Sequence, residues 1–157
     1  MPSRLVPPPE ERPSAVDAHP LGSWHLSQAG DLAELRAGVV ASAGGPAVPE
    51  VGGPAGRLLI LVVNELATNG LKYGTPPLAV SLSRTGDGWL VDVRDGSADQ
   101  PPMPRPPALA RPGGHGLRIV ASVSTAWGWY RDDTAAPGKH VWAHVPARPR
   151  DLIPPQQ

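Results

Sequence analysis

Apolar residues recur along this chain with two different periods, and each change of period marks a new element. Leu32, Leu35 and Val39 return every three to four residues, which predicts a helix capped by Asp31 or Ser27 and ended by Gly44-Gly45-Pro46. A second helix is predicted from about Ala55 to Tyr73, where Leu58, Leu59, Val62, Val63 and Leu66 form a broad stripe suited to deep burial. Gly74 fits its C-terminal cap, and Pro76-Pro77 prevent continuation. The period then shortens to two. Leu78–Arg84 and Trp89–Asp95 read as strands joined by Thr85-Gly86-Asp87-Gly88, in which Asp-Gly is a strong hairpin signal. Trp89, Val91, Val93 and Asp95 fall on one face. If that face is buried, the Asp95 carboxylate needs a partner. Ser23–Leu26 fit an edge strand, and Gly113-Gly114-His115-Gly116 open a third helix carrying Leu117, Val120 and Val123. Ala126–Arg131 and Lys139–Val145 form a closing hairpin.

Elsewhere periodicity fails. Residues 1–20 carry Pro7, Pro8, Pro9, Pro13 and Pro20 without a sustained apolar period, as a disordered leader does. Residues 147–157 read as a tail of the same kind, leaving an ordered domain over 21–146. Residues 97–112 hold Pro101, Pro102, Pro104, Pro106, Pro107 and Pro112. A long irregular loop inside a compact domain is often functional, and this one is placed like a lid. Segregated helices and hairpins predict an α+β fold, a two-layer α/β sandwich with a mixed, mostly antiparallel sheet and helices on one face.

Composition narrows the chemistry. The 157 residues include 18 Gly and 22 Pro, a share that indicates disorder only when evenly spread; here Pro is clustered. With five Trp, two Tyr and no Phe, the core must be largely aliphatic. The absence of Cys excludes disulfides, thiol catalysis and Cys-ligated zinc. Fourteen basic residues balance fourteen acidic ones, so no broad footprint for direct nucleic-acid binding is expected. The aliphatic run Leu58–Val63 is far short of the ~20 residues that cross a bilayer. Without an apolar leader, a cytoplasmic domain with no membrane partner is expected.

Three segments carry candidate chemistry. Glu65, Asn69 and Lys72 or Tyr73 share one helix face. An acid, an amide and a cation in that order suit phosphate and a hard metal: the Asn69 oxygen can ligate Mg²⁺, Lys72 can offset phosphate charge, and Glu65 can accept a proton. The same residues also fit a polar stripe at a solvated helix edge. Asp95-Gly96 can accept a hydrogen bond from an adenine amino group, or simply end a strand in a turn. Gly113–Gly116 before a helix fits phosphate binding by backbone amides, or a hinge. It is neither a Walker A loop nor a Rossmann loop. His140 and His144 share a strand face, with no third metal ligand in view.

In combination and in this order, Glu65-xxx-Asn69-xx-Lys72-Tyr73-Gly74, Val93-Arg94-Asp95-Gly96 and Gly114-His115-Gly116-Leu117 resemble the N, G1 and G2 boxes of the GHKL ATPase superfamily. More narrowly, the chain resembles the histidine-kinase-like ATPase domain of the anti-sigma-factor serine/threonine kinases, over about Ser23 to Pro146. The resemblance implies ATP and Mg²⁺ as ligands, with Asn69 on the metal and Glu65 as general base toward a protein serine or threonine. It places Lys72, Gly114, His115, Gly116 and Leu117 near phosphate, Arg111 near the γ-phosphate, Tyr73 beside the nucleotide, and Asp95 with Gly96 at adenine. The implied partner is an anti-sigma factor antagonist, a sigma factor, or both, and family members often pair as homodimers. The G1 stretch departs from the pattern in lacking later glycines, and His140 stands where relatives often have Thr.

Overall fold

The computed structural model describes residues 8–14, 17–44, 52–103, 116–134 and 136–148. In chain order these form β1 (His19–Leu26), a 3-10 turn (Ala29–Asp31), α1 (Leu32–Ala43), α2 (Pro54–Tyr73), β2 (Leu78–Arg84), β3 (Gly88–Asp95), α3 (Gly116–Val123), β4 (Ala126–Asp132) and β5 (Gly138–Pro146). Asp31 stands at the N-cap of α1 but makes no capping bond there. Its carboxylate instead accepts the backbone N–H groups of Ser27 (2.9 Å) and Gln28 (3.2 Å), which fixes the turn entering the helix.

The protein is α+β, with an open five-stranded sheet in the order β1-β2-β3-β5-β4. Every strand pair is antiparallel, which corrects the expectation of a mixed sheet. The parallel contact among the described residues is an isolated bridge between Glu10 and Trp129. Alternation places Leu78, Val80 and Leu82 of β2, Trp89, Val91 and Val93 of β3, and Val141, Ala143 and Val145 of β5 on one face. That face shares a single core with Leu35 and Val39 of α1, Leu59, Val62, Val63 and Leu66 of α2, and Leu117 and Val120 of α3. The β2–β3 hairpin closes with Thr85 N–H donating to Gly88 O at 2.9 Å. Gly88 is required by space: a Cβ there would lie 2.0 Å from Val145 O, a backbone atom that cannot yield.

Within residues 1–20, the described residues 8–14 lie beside β4 and β5. The indole N–H of Trp129 donates to Pro8 O and that of Trp142 to Glu11 O, both at 2.7 Å. Glu11 N–H donates to Trp129 O at 2.7 Å, and Arg131 N–H to Glu10 Oε1 at 2.8 Å. β1 also begins at His19, earlier than the Ser23 expected. These contacts run through polar atoms while residues 9–12 and 14 stay exposed, so no apolar period marks them. Proline fits this position, since an edge needs few backbone donors.

Trp142 is buried yet lies outside the helix-side core; it faces the opposite side of the sheet. His140 shares that outer face. Its Nδ1 is 2.7 Å from Asp92 Oδ1, its Nε2 is 3.3 Å from Asp132 Oδ2, and its ring stacks on Tyr130 with centroids 4.4 Å apart. Burial alone would lower the His140 pKa, but hydrogen bonding and charge from Asp92, then Asp132, more than reverse this and leave it raised. Arg94, and next His140, hold the Asp132 carboxyl far below the usual range. Burial, then the Asp92 charge, push Tyr130 up to about 12.

A raised histidine pKa has a definite sign in stability. The protonated cluster contributes fully below the ordinary histidine value of 6.5 and loses that contribution as pH rises through the folded-state value. Between about pH 6 and pH 9 the thermal midpoint should therefore fall. It should fall less in His140→Phe, which keeps the ring stack without the proton. Parallel slopes for the two proteins in calorimetry would exclude His140 as a source.

Candidate functional site

The end of α2 meets the open end of β3, and a pocket of about 380 Å³ lies between them. Leu66, Asn69, Gly70 and Tyr73 of α2 form one wall, Val93, Asp95, Lys139 and Val141 the sheet side, and Asp99 to Met103 a third side. Two close approaches create this geometry. A Cβ on Gly70 would lie 3.0 Å from Leu78 Cδ1, and one on Gly74 would lie 2.6 Å from Asp95 Oδ2. Gly74 has an ordinary backbone conformation, with φ of −91°, so its role is to leave space for the carboxylate. Its N–H donates to Gly70 O at 2.9 Å, which closes the helix as the sequence predicted.

Asp95 is the last residue of β3 and only 2% exposed. The partner its burial demands is Lys139, directly opposite on β5, with Nζ 3.4 Å from Oδ2. Asp95 Oδ1 accepts the Ser97 N–H at 2.6 Å, turning the chain sharply after the strand. Gly96 N–H donates to Thr75 O at 3.0 Å, and the Thr75 and Ser97 hydroxyls bond at 2.6 Å. The loop leaving β3 is thereby stitched to the loop leaving α2. Lys139 Nζ also donates to Gln100 O at 2.5 Å, so one ammonium joins the carboxylate to the first part of the expected lid.

Of the residues read from the sequence, Asn69, Tyr73 and Asp95 are brought together in this pocket. Lys72 is exposed, as is Gly96, and neither lines the cavity. Glu65 is half-buried one turn before Asn69; its Oε2 lies 2.7 Å from where a Gly116 Cβ would stand. The carboxylate is thus seated against the described beginning of α3, where the helix dipole favours negative charge. Leu117 is a core residue. Arg111, Gly114 and His115 lie outside the described residues, as does the 104–112 part of the lid. His140 is on the opposite face of the sheet, away from the pocket.

Sequence reasoning assigned no role to Lys139. The signal was present in the alternation: Asp95 and Lys139 are the buried charges on otherwise apolar strand faces, one closing β3 and the other second in β5.

The donor set has clear chemical limits. Among the described residues no group of three or more His, Asp or Glu side chains could hold a metal by itself. The pocket is also lined by Asp99 and Gln100, and on the α2 wall by Asn69, whose amide oxygen fits a magnesium ion that keeps several waters and takes its remaining ligands from phosphates. At the other end, a buried carboxylate and ammonium offer an acceptor and a donor side by side, among apolar Leu66, Val93 and Val141. An apolar slot with few convergent polar groups is the usual form of a small-molecule site. Among the described residues no helix is long and apolar enough to cross a membrane. No family model matches the chain, and no curated protein matches it either.

Proposed function

We propose that this protein is an ATP-binding regulatory domain with the histidine-kinase-like ATPase fold, a serine/threonine kinase of the anti-sigma-factor type. One observation carries the reading: the pocket that joins Asn69 on α2 to the buried Asp95 at the end of β3. These residues come from separate boxes of the motif series, and nothing in their sequence spacing requires them to share a cavity.

In this reading Asp95 accepts a hydrogen bond from the adenine amino group, and Tyr73 lies along the nucleotide. The Asn69 oxygen holds Mg²⁺, and the absence of a side chain at Gly116 keeps the start of α3 close to Glu65. Bound Mg·ATP supplies the γ-phosphoryl group for in-line transfer, in which positioning and charge neutralisation dominate. Glu65 accepts the proton of a serine or threonine hydroxyl on the partner, an anti-sigma factor antagonist; a sigma factor is the second partner. A nucleotide-dependent interaction module without transfer is the alternative. It is favoured by the position of Glu65, which abuts Gly116 and does not line the pocket.

Titration with a fluorescent ATP analogue in the presence of Mg²⁺ tests the site. Asn69→Ala should weaken binding at least about tenfold through loss of a ligand to the cation, whereas Glu65→Gln should bind nearly as the wild type does. Equal affinity in Asn69→Ala and wild type rejects the site. Incubation of labelled ATP with candidate antagonist proteins then separates kinase from module: transfer that disappears in Glu65→Gln supports the kinase.

A further inference from the structure

We infer that Lys139 reads the base of the bound nucleotide together with Asp95, and that the pair selects adenine; this rests on the nucleotide reading of the pocket. Lys139 is the second residue of β5, and its same-face neighbours, Val141, Ala143 and Val145, are all apolar core residues. A buried ammonium in that row is costly, and replacing a buried ion pair with packed apolar side chains is often neutral or stabilising. Pairing with Asp95 therefore accounts for how the charge is tolerated, not for what it does.

The geometry supplies a use. An ammonium carries three N–H donors. Among the described residues the partners of Lys139 are Asp95 Oδ2 at 3.4 Å and Gln100 O at 2.5 Å, and Lys139 itself lines the pocket. One donor remains for a ligand, beside a carboxylate that still has free lone pairs. The pair thus presents an acceptor next to a donor. Adenine presents the complement along one edge: the exocyclic amino group donates and the adjacent ring nitrogen, N1, accepts. Asp95 takes the amino hydrogen and Lys139 donates to N1. Hypoxanthine reverses both positions, with a carbonyl oxygen facing Asp95 and an N–H facing Lys139. A site built around buried polar groups rejects such a ligand strongly, because its own groups are left unpaired.

The test is competition against a fluorescent ATP analogue, using ATP, 1-deaza-ATP (which lacks the N1 acceptor) and ITP. Wild-type protein should bind 1-deaza-ATP about tenfold or more weakly than ATP, as expected for a lost hydrogen bond to a charged donor, and ITP more weakly still. In Lys139→Met the ATP to 1-deaza-ATP ratio should fall to within about twofold. Lys139→Gln keeps a hydrogen-bonding group beside Asp95 but ends one bond short, and it gives the same reading should the Met variant not fold. A purely structural lysine would weaken both nucleotides equally and leave the ratio intact. Equal affinities for ATP and 1-deaza-ATP in the wild type, or for ATP and ITP, overturn the inference while leaving the nucleotide site standing. So does a ratio unchanged by the substitutions. A wild-type protein that binds none of the three overturns the site itself.

Discussion

Asp95→Ala should lower the unfolding free energy by about 3–5 kcal/mol, because it leaves the Lys139 ammonium buried without its counter-charge. It should also abolish nucleotide binding. For a domain with roughly 5–15 kcal/mol in total, the first effect is large enough to mask the second. The two can be separated. In Asp95→Ala/Lys139→Met no unpaired charge remains, so much of the lost stability should return, yet the acceptor proposed for the adenine amino group is still missing. Asp95→Asn divides the effects differently: its amide oxygen still accepts from Lys139, and its affinity should fall about ten- to a hundredfold through loss of a charge-assisted bond. Denaturant unfolding beside nucleotide titration gives both quantities for each protein. If the double variant regains binding together with stability, Asp95 serves the fold alone and has no part in recognition.

The separation matters because Asp95 is legible from the sequence without reference to function. Its place after Trp89, Val91 and Val93 on an alternating strand puts a carboxylate on the buried face, and burial requires a partner whatever the function. The hairpin signal, the α2 stripe and the Gly74 stop are equally local, and α2, β2 and β3 each lie within a residue of their expected bounds. What the sequence left open is non-local. Strand order and the antiparallel direction of every pair depend on how the elements dock. Alternation puts Lys139 on an apolar strand face, but its pairing with Asp95 emerges only when β5 is set in register against β3. His140, its neighbour, consequently points to the other face, where Asp92 and Asp132 hold it. The contacts of residues 8–11 are non-local in the same way: Pro8 and Glu11 are bound by their backbone carbonyls to indoles more than a hundred positions later. No periodicity within the segment can signal that.

Trp89→Ala is the counterpart of Asp95→Ala on the same strand face. Trp89 is fully buried and part of the core, so truncation to Ala should cost about 3–5 kcal/mol through lost contacts and a residual cavity. Six steps along the strand, at about 3.3 Å each, lead from it to Asp95, and it does not line the pocket. The folded fraction of Trp89→Ala should therefore bind nucleotide with wild-type affinity, although the protein is as badly destabilised as Asp95→Ala. The indole nitrogen of Trp89 has no hydrogen-bond partner among the described residues, and the Arg84 guanidinium lies over the ring, 4.9 Å from its centroid. Trp89→Phe removes that unsatisfied donor and keeps an aromatic face for Arg84, so it should cost clearly less than Trp89→Ala. Affinities measured below the unfolding transition and extrapolated to the fully folded protein provide the check. A loss of affinity in step with stability in Trp89→Ala would mean that the pocket depends on the whole sheet rather than on the groups lining it. Wild-type affinity there, set against none in the Asp95→Ala/Lys139→Met protein, confines recognition to the far end of β3.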